Sequence, residues 1–448
     1  MIFVTFFLWV ALMPAIYAFA PRLYAVWIVL IGGWLLLPPA IYAEAGKPSV
    51  FPFWIIGSGL PSDLLITKAW IAPGIATLGS LLFDRGRWVK FQWHWTDLAL
   101  LGLCLWPLGQ SFLLAQSDPL GSISSIYMAG AWGLPWLIGR LYLRDRRDAE
   151  AFTAVLTVAT LAMLPVIIIE TVSTFRIHTV FFDAHPFAFD GTPRYLGYRP
   201  QLLFEHGNQY GLWCAGATIA AFWRLREAPS SGRRLWVVLF VTLLAITTAS
   251  QSVGAILLTL GGLAMLAIPK SFRLMRSLGV IGFVICLFLA ALHASRIVPL
   301  RSIAENTAFG KAVVGGFRST GRGSFVWRIG QDVKTLPLIA EKPVVGSGRW
   351  NWFMPVDSRS WGFPLLVVGQ FGLIGLALLA AALLEALYRH ASNAARGSAT
   401  ARMFTVMLLL FGLDALLNSF LFYPAILVAA ALARPTIVGH VPETFSHE

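Results

Sequence analysis

Charge is what this sequence has least of. Asp, Glu, Lys and Arg make up 12% of its 448 residues, where a soluble domain carries about 25%. Halving that share removes most of the surface needed to face water, which excludes an ordinary soluble domain. Cysteine is also scarce. Cys104, Cys214 and Cys286 all fall within apolar stretches and no CxxC occurs, which argues against a disulfide framework or a thiolate metal site. They read as small core residues. Several catalytic signatures are missing as well: no Walker A motif, no HExxH, no GxSxG, and no acidic DxD to hold a metal on a nucleotide sugar. The N-terminal stretch MIFVTFFLWVALMPAIYAFA has no basic n-region, so it reads as a first span and not a cleaved signal.

Apolar residues fill the space that charge leaves. They account for 57% of the chain, and the mean hydropathy is +0.72. Apolar runs of 18 or more residues recur, each long enough to cross roughly 30 Å of hydrocarbon. Backbone in lipid must satisfy its own hydrogen bonds, and the runs lack the period-2 alternation of barrel strands, so helices are expected. Candidate spans lie at 2–20, 23–43, 62–83, 95–116, 122–139, 150–172, 200–222, 235–250, 252–269, 277–294, 362–387, 403–421 and 423–439. The expected fold is an all-α polytopic membrane protein with about 12–13 transmembrane helices.

The loops sort by charge. Arg85, Arg87 and Lys90 form one basic connection; Arg140, Arg144, Arg146 and Arg147 a second; Arg224, Arg226, Arg233 and Arg234 a third; Lys270, Arg273 and Arg276 a fourth; Arg389, Arg396 and Arg402 a fifth. Neighbours in this series are two spans apart, so all five can face the cytoplasm together, as the positive-inside rule requires. Most of the net charge of +13 then reads as topology and contact with anionic lipid, and no nucleic acid is implied. The 18 tryptophans suit interfacial belts, although aromatic platforms for sugars look the same in sequence.

This topology divides the chain into N-terminal helices over 1–172, an outside loop at 173–199, central helices over 200–294, a large outside loop at 295–361, and C-terminal helices with a tail over 362–448. Both outside loops are basic. The larger holds Arg296, Arg301, Lys311, Arg318, Arg322, Arg328, Lys334, Lys342, Arg349 and Arg359, against Glu305, Asp332, Glu341 and Asp357. Long loops cross the membrane largely regardless of charge, so tolerance is one reading; an anion site at the outer leaflet is the other. Within this loop Phe325, Val326, Ile329, Val333, Leu336 and Ile339 are spaced for an amphipathic helix that lies on the membrane or covers a cavity. KPVVGSG then ends it in a turn.

Three stretches carry the polar groups. RYLGYRPQLLFEHGNQYGLW at 194–213 brings Arg194, Arg199, Glu205, His206, Asn208 and Gln209 to the outer end of a span. Lipid would penalise them there, so they imply a cavity, or else interfacial snorkelling. TTASQSVGA at 247–255 breaks two short spans. The third runs from GRGSFVWRIGQDVKTLPLIAEKPVVGSGRW into VDSRSWGFPLLVVGQFGLIGLALL. In this order they resemble the O-antigen polymerase and O-antigen ligase superfamily, membrane glycosyltransferases that use polyprenyl-diphosphate-linked glycans. Arg199 and Asn208 are similar to its Arg followed some nine residues later by Asn at a span start. Arg322, Trp327, Glu341, Pro343, Gly346 and Gly348 resemble its loop pattern, and Phe371 to Leu376 its following span start. The chain departs from the pattern twice: Ser250-Gln251 stands where many members have Ser-Arg, and VDSRSWGF lacks the His that ligases carry before the last conserved span.

The resemblance implies a GT-C-like fold, a site facing the periplasm of a bacterial inner membrane, and no cofactor or metal. It implies as partners undecaprenyl-diphosphate-linked glycan, the lipid bilayer and other polysaccharide-assembly membrane proteins. An acceptor hydroxyl would attack the anomeric carbon and lipid diphosphate would leave. On this reading Arg199 and Arg322 bind the diphosphate, with Arg194, Arg318 and Arg328 as alternates. Asp357 is the first candidate for the base, which the absent His leaves open, with Glu205 and His206 behind it. Asn208, Trp327 and Gln251 line the substrate. His178 and His185 read as solvated, and Asp414 and Asn418, one turn apart, as cavity lining or an interhelical hydrogen bond. The missing His favours a polymerase over a ligase. A transporter of anionic solutes is the rival from another class; it would show broken helices in paired halves.

Overall fold

The computed structural model describes residues 1–39, 67–114, 120–182, 193–268, parts of 281–291, 300–319, 324–350, 352–356, 358, 360–392, 399–419 and 423–434. These form helices almost throughout, as apolar runs in lipid must. In order they are α1 (Ile2–Phe19), α2 (Arg22–Leu36), α3 (Lys68–Phe83), α4 (Arg85–Val89), α5 (Trp95–Leu113), α6 (Leu120–Met128), α7 (Leu134–Tyr142), α8 (Arg146–Ala162), α9 (Leu164–Val172), α10 (Ile177–Phe181), α11 (Gly207–Glu227), α12 (Ser230–Ala249), α13 (Val253–Ala267), α14 (Leu300–Asn306), α15 (Ala308–Ser319), α16 (Ser324–Glu341), α17 (Phe363–Ser392), α18 (Ala399–Ala415) and α19 (Tyr423–Leu432). One small hairpin pairs Pro193 with Tyr198 and Arg194 with Gly197. Among the described residues five helical stretches are long and apolar enough to cross a membrane: 2–19, 95–113, 146–172, 230–249 and 363–385. Exposed Phe3, Phe7, Leu235, Val238, Val241, Leu257 and Leu260 give the outer surface an apolar character, which suits lipid contact. The chain is an all-α protein of membrane type.

Helix α11 is the hub. Gly211, Ala215, Gly216, Ala217, Ala220 and Ala221 are buried along it, and it packs on α8, α12, α13 and α18. Small residues let helix backbones approach closely where no hydrophobic drive exists between them.

The described structure alters four expectations from the sequence. The span expected at 200–222 becomes helical only at Gly207, and 201–206 form a turn with Leu202 at φ 55°. The span expected at 122–139 is interrupted by a π-helical turn at Ala129–Gly133. There Trp70 presses on Gly130 and donates to the Ile126 carbonyl at 3.2 Å. The large loop holds three helices, α14 to α16, where one was expected. The last change is in α17, which is broken at Gly372 (φ 70°). The break is matched by the KPVVGSG turn: Ser347 and Gly348 donate to the Gly369 and Gln370 carbonyls, and Leu373 and Ile374 donate to Pro343 and Val344. Gln110 and Trp106 of α5 satisfy Val345, Gln370 and Phe371. A Cβ on Gly346 or Gly372 would strike the facing backbone, so the two glycines permit this close approach. The span expected at 277–294 lies largely outside the described residues.

The described residues of the first, second, third and fifth basic connections meet at one end, and Lys270, Arg273 and Arg276 lie outside the described residues. Arg87 pairs with Asp148 at 2.9 Å, Arg146 with Glu227 at 3.1 Å, and Arg224 with Glu150 at 3.1 Å. Arg140 pairs with Asp97 at 2.9 Å, both buried. Arg402 donates to the Leu266 and Ile268 carbonyls at 2.6 Å, and Arg226 to Leu266. Cations at a helix C-terminus complement its dipole.

Candidate functional site

The other end of α11 starts from a turn that is held from several directions. Buried Glu170 of α9 accepts from Ile177 N–H at 3.0 Å with one oxygen, and from Gln201 and Leu202 N–H at 2.8 and 2.9 Å with the other. The Gln201 amide donates to the Phe204 and Glu205 carbonyls. Fully buried Lys68 donates to the Leu203 carbonyl at 2.5 Å and lies 4.6 Å from the Trp34 ring and 5.0 Å from Phe204. These contacts force apolar 202–204 out of helix. His206 then caps α11, its Nδ1 accepting from Asn208 N–H at 3.0 Å. Arg199 lies across Gly207, where a Cβ would collide with its guanidinium.

The polar side chains of several segments converge on Asn208. Arg199 donates to Asn208 Oδ1, and Ser252, the N-cap of α13, donates to the same oxygen at 3.3 Å. Asn208 Nδ2 donates to Asn418 Oδ1 at 3.3 Å. Arg328 of α16 donates to that oxygen and, at 3.2 Å, to the Leu417 carbonyl. Asn418 Nδ2 donates to Asp414 Oδ1 at 2.7 Å. Two guanidinium groups thus meet a bridged pair of side-chain amides. The three helices that build this cluster, α11, α13 and α18, carry their arginine contacts at the opposite ends, so α11, with 21 residues at 1.5 Å per residue, separates the two regions by roughly 30 Å.

Helix α16 docks through polar groups. Arg328 lies 5.0 Å from the Trp361 ring, and the half-exposed Trp327 ring lies 5.5 Å from it, tilted by 59°. Asp332 Oδ1 accepts from Trp361 N–H at 2.6 Å and Gly362 N–H at 3.4 Å. Burial pushes the Asp332 carboxyl up to about 6, against the lowering by these two amides and by Arg328. Thr335 and Ser360 hydroxyls bond at 2.5 Å, and Ser358 donates to Gln331. Among the described side chains of this helix, Asp332, Thr335 and Leu336 are buried, Arg328 is partly buried, and Leu338 and Ile339 pack against the core.

Of the residues singled out from sequence, Arg199, Asn208 and Arg328 come together. His206 sits beside them as a helix cap. Glu205 is buried in the turn, its backbone N–H donating to Gln209 Oε1 at 3.1 Å. Gln251 is buried at φ 54° and bonds the hairpin, donating to Tyr198 O at 2.8 Å and accepting from Leu196 N–H. Arg194 is exposed on the hairpin. Trp327 reaches the cluster only through Trp361. Arg322, Asp357, His185 and the side chain of Arg318 lie outside the described residues. His178 is buried, not solvated. Asn418, paired with Asp414, joins the cluster, and Ser252 and Asp332 are additions. Ser252 belonged to the polar break at 247–255, and Asp332 was one of two acids, with Glu341, inside the amphipathic stretch; both were visible signals.

Chemically the cluster offers fixed guanidinium charge and amide donors at the mouth of a helical bundle, the groups that bind phosphate oxygens. Among the described residues no group of three or more His, Cys, Asp or Glu is placed to hold a metal ion. No family model, no curated protein and no solved structure matches this chain.

Proposed function

We propose that this chain is a membrane glycosyltransferase that polymerises undecaprenyl-diphosphate-linked oligosaccharide repeats into O-antigen or exopolysaccharide at the periplasmic face of the inner membrane. The observation that carries the reading is the convergence of Arg199 and Arg328, from the two basic outside loops, on the Asn208–Asn418 amide pair. In the reaction an acceptor hydroxyl oxygen bonds to the anomeric carbon from the face opposite the leaving group. The bond from that carbon to the diphosphate oxygen breaks, and the hydroxyl proton passes to a carboxylate or His. Charge grows on the departing diphosphate, where prepositioned guanidinium groups stabilise it without reorganisation. Asn208 and Asn418 hold the two arginines in register. Asp357 is the base this reading assigns, with Glu205 and His206 behind it.

The motif order between Arg199 and Leu376 supports the same reading. A ligase differs only in its acceptor, and the absent His before α17 weighs against it. The break at Gly372 is a feature a transporter would use to present carbonyls to an ion. Here the Val345, Gln370 and Phe371 carbonyls are taken by Gln110 and Trp106, which favours a structural joint. The direct test is synthesis from purified lipid-linked repeat in liposomes. Wild-type protein should lengthen glycan on the lipid; transfer to lipid A core, or solute movement without any glycan product, would replace the proposal.

A further inference from the structure

At the arginine-rich end an open groove of about 50 Å³ lies between three helix ends, lined by Trp223, Arg226 and Glu227 of α11, Leu266 of α13, and Ala399 and Arg402 of α18. Its polar groups are mostly hydrogen-bond donors. Arg226 and Arg402 are donor-only guanidinium groups, each anchored on the Leu266 carbonyl. The anchoring bond of Arg226 engages Nη1, one nitrogen of a side chain with five N–H donors. Trp223 adds a buried indole N–H that has no partner among the described residues. The acceptor in the wall, Glu227, is held by Arg146 at 3.1 Å. A site with fixed cations, a spare N–H and a neutralised carboxylate selects an anionic, acceptor-rich group. Its position at the ends of membrane helices, with Leu266 and Ala399 alongside, puts that group at headgroup depth, where basic pockets between helices take lipid phosphates.

We propose that this groove binds the phosphate of an anionic phospholipid, independently of the cluster at the opposite end. The test uses the full chain in nanodiscs of phosphatidylcholine, with or without phosphatidylglycerol. Retained lipid is read by native mass spectrometry and melting temperature by fluorimetry. Phosphatidylglycerol should be retained preferentially and raise the melting temperature. Arg226→Gln should weaken that retention about tenfold, the loss of one charge-assisted hydrogen bond. Trp223→Phe should weaken it less. Arg402 is left intact because it also caps α13. Equal retention of the two lipids by the wild-type protein would overturn the proposal without any variant having to fold. Retention of phosphatidylglycerol undiminished in both variants would do the same. Inorganic phosphate at millimolar concentration, added to phosphatidylcholine nanodiscs and stabilising the protein as well as phosphatidylglycerol does, would assign the groove to a soluble anion instead.

Discussion

The two ends of the helical bundle use arginine in opposite ways. At one end Arg87, Arg140, Arg146 and Arg224 face Asp148, Asp97, Glu227 and Glu150, so charge is cancelled where it stands. At the other, Arg199 and Arg328 rest on the oxygens of Asn208 and Asn418. An amide orients a guanidinium without neutralising it. The first arrangement ties helices together by ion pairs; the second ties them through neutral side-chain amides, with Asp414 on Asn418 and Asp332 one turn from Arg328.

This contrast gives predictions that run from strong to weak. Replacing Arg199 and Arg328 together by Ala should abolish long polysaccharide while leaving protein in the membrane, because two charge-assisted contacts of about 1.5–3 kcal/mol each are lost. Product length on gels, with membrane abundance by immunoblot, checks it; normal polymer would erase the distinction. Asp97→Ala should act the other way. It leaves Arg140 buried without its carboxylate, a change that costs about 3–5 kcal/mol, so melting temperature and yield fall while activity per folded molecule holds. Asn208→Asp converts the amide end toward the carboxylate end. Neutralising Arg199 should raise KM for the lipid-linked donor about tenfold, about 1.4 kcal/mol, with kcat less affected. An unchanged KM would show that the charge of Arg199 is not what the donor meets.

The smallest effect is a pH slope. Burial raises the Asp332 carboxyl in the folded protein to about 6, above its value in the unfolded chain, so the folded state holds the proton more tightly. Its contribution to stability is complete below about 4, the unfolded value, and is lost as pH rises through about 6. Melting temperature should therefore decline across that window, and the decline should flatten in Asp332→Asn. A slope that survives the substitution would place the titration elsewhere.

The all-α membrane character was legible because hydropathy follows from the bilayer, while five stretches among the described residues, against about 12–13 expected spans, are long and apolar enough to cross it. The spacing also brought the first, second and third basic connections and Arg402 of the fifth to one end, as in Arg87–Asp148, Arg146–Glu227 and the Arg402 contacts with α13. What stayed hidden depends on distant partners. Leu202, Leu203 and Phe204 read as span, yet Glu170 and Lys68 pull their backbone into a turn from 32 and 135 residues away. The break at Gly372 sits in a continuous apolar run, and only the facing glycine turn explains it. Of the site, Arg199 and Asn208 were legible as a motif, being nine residues apart. The Asn208–Asn418 bridge spans 210 residues, and no local pattern encodes it. Arg328 shares a helix face with Asp332, whose carboxylate anchors that face on Trp361 and Gly362.

The joint at Gly372 has a mechanical consequence. The chain leaving α16 is stitched by Pro343, Val344, Ser347 and Gly348 into the gap in α17, so that end of α16 is fixed to the membrane bundle. A swing of the helix would have to break the Asp332–Trp361 and Thr335–Ser360 contacts and would then turn like a door hung on one post, pivoting at Lys342 with its far edge at Ser324. Arg328 rides on the swinging edge and Arg199 on the frame. Opening would draw the two charges apart, and closing would bring them together again on whatever anion had entered.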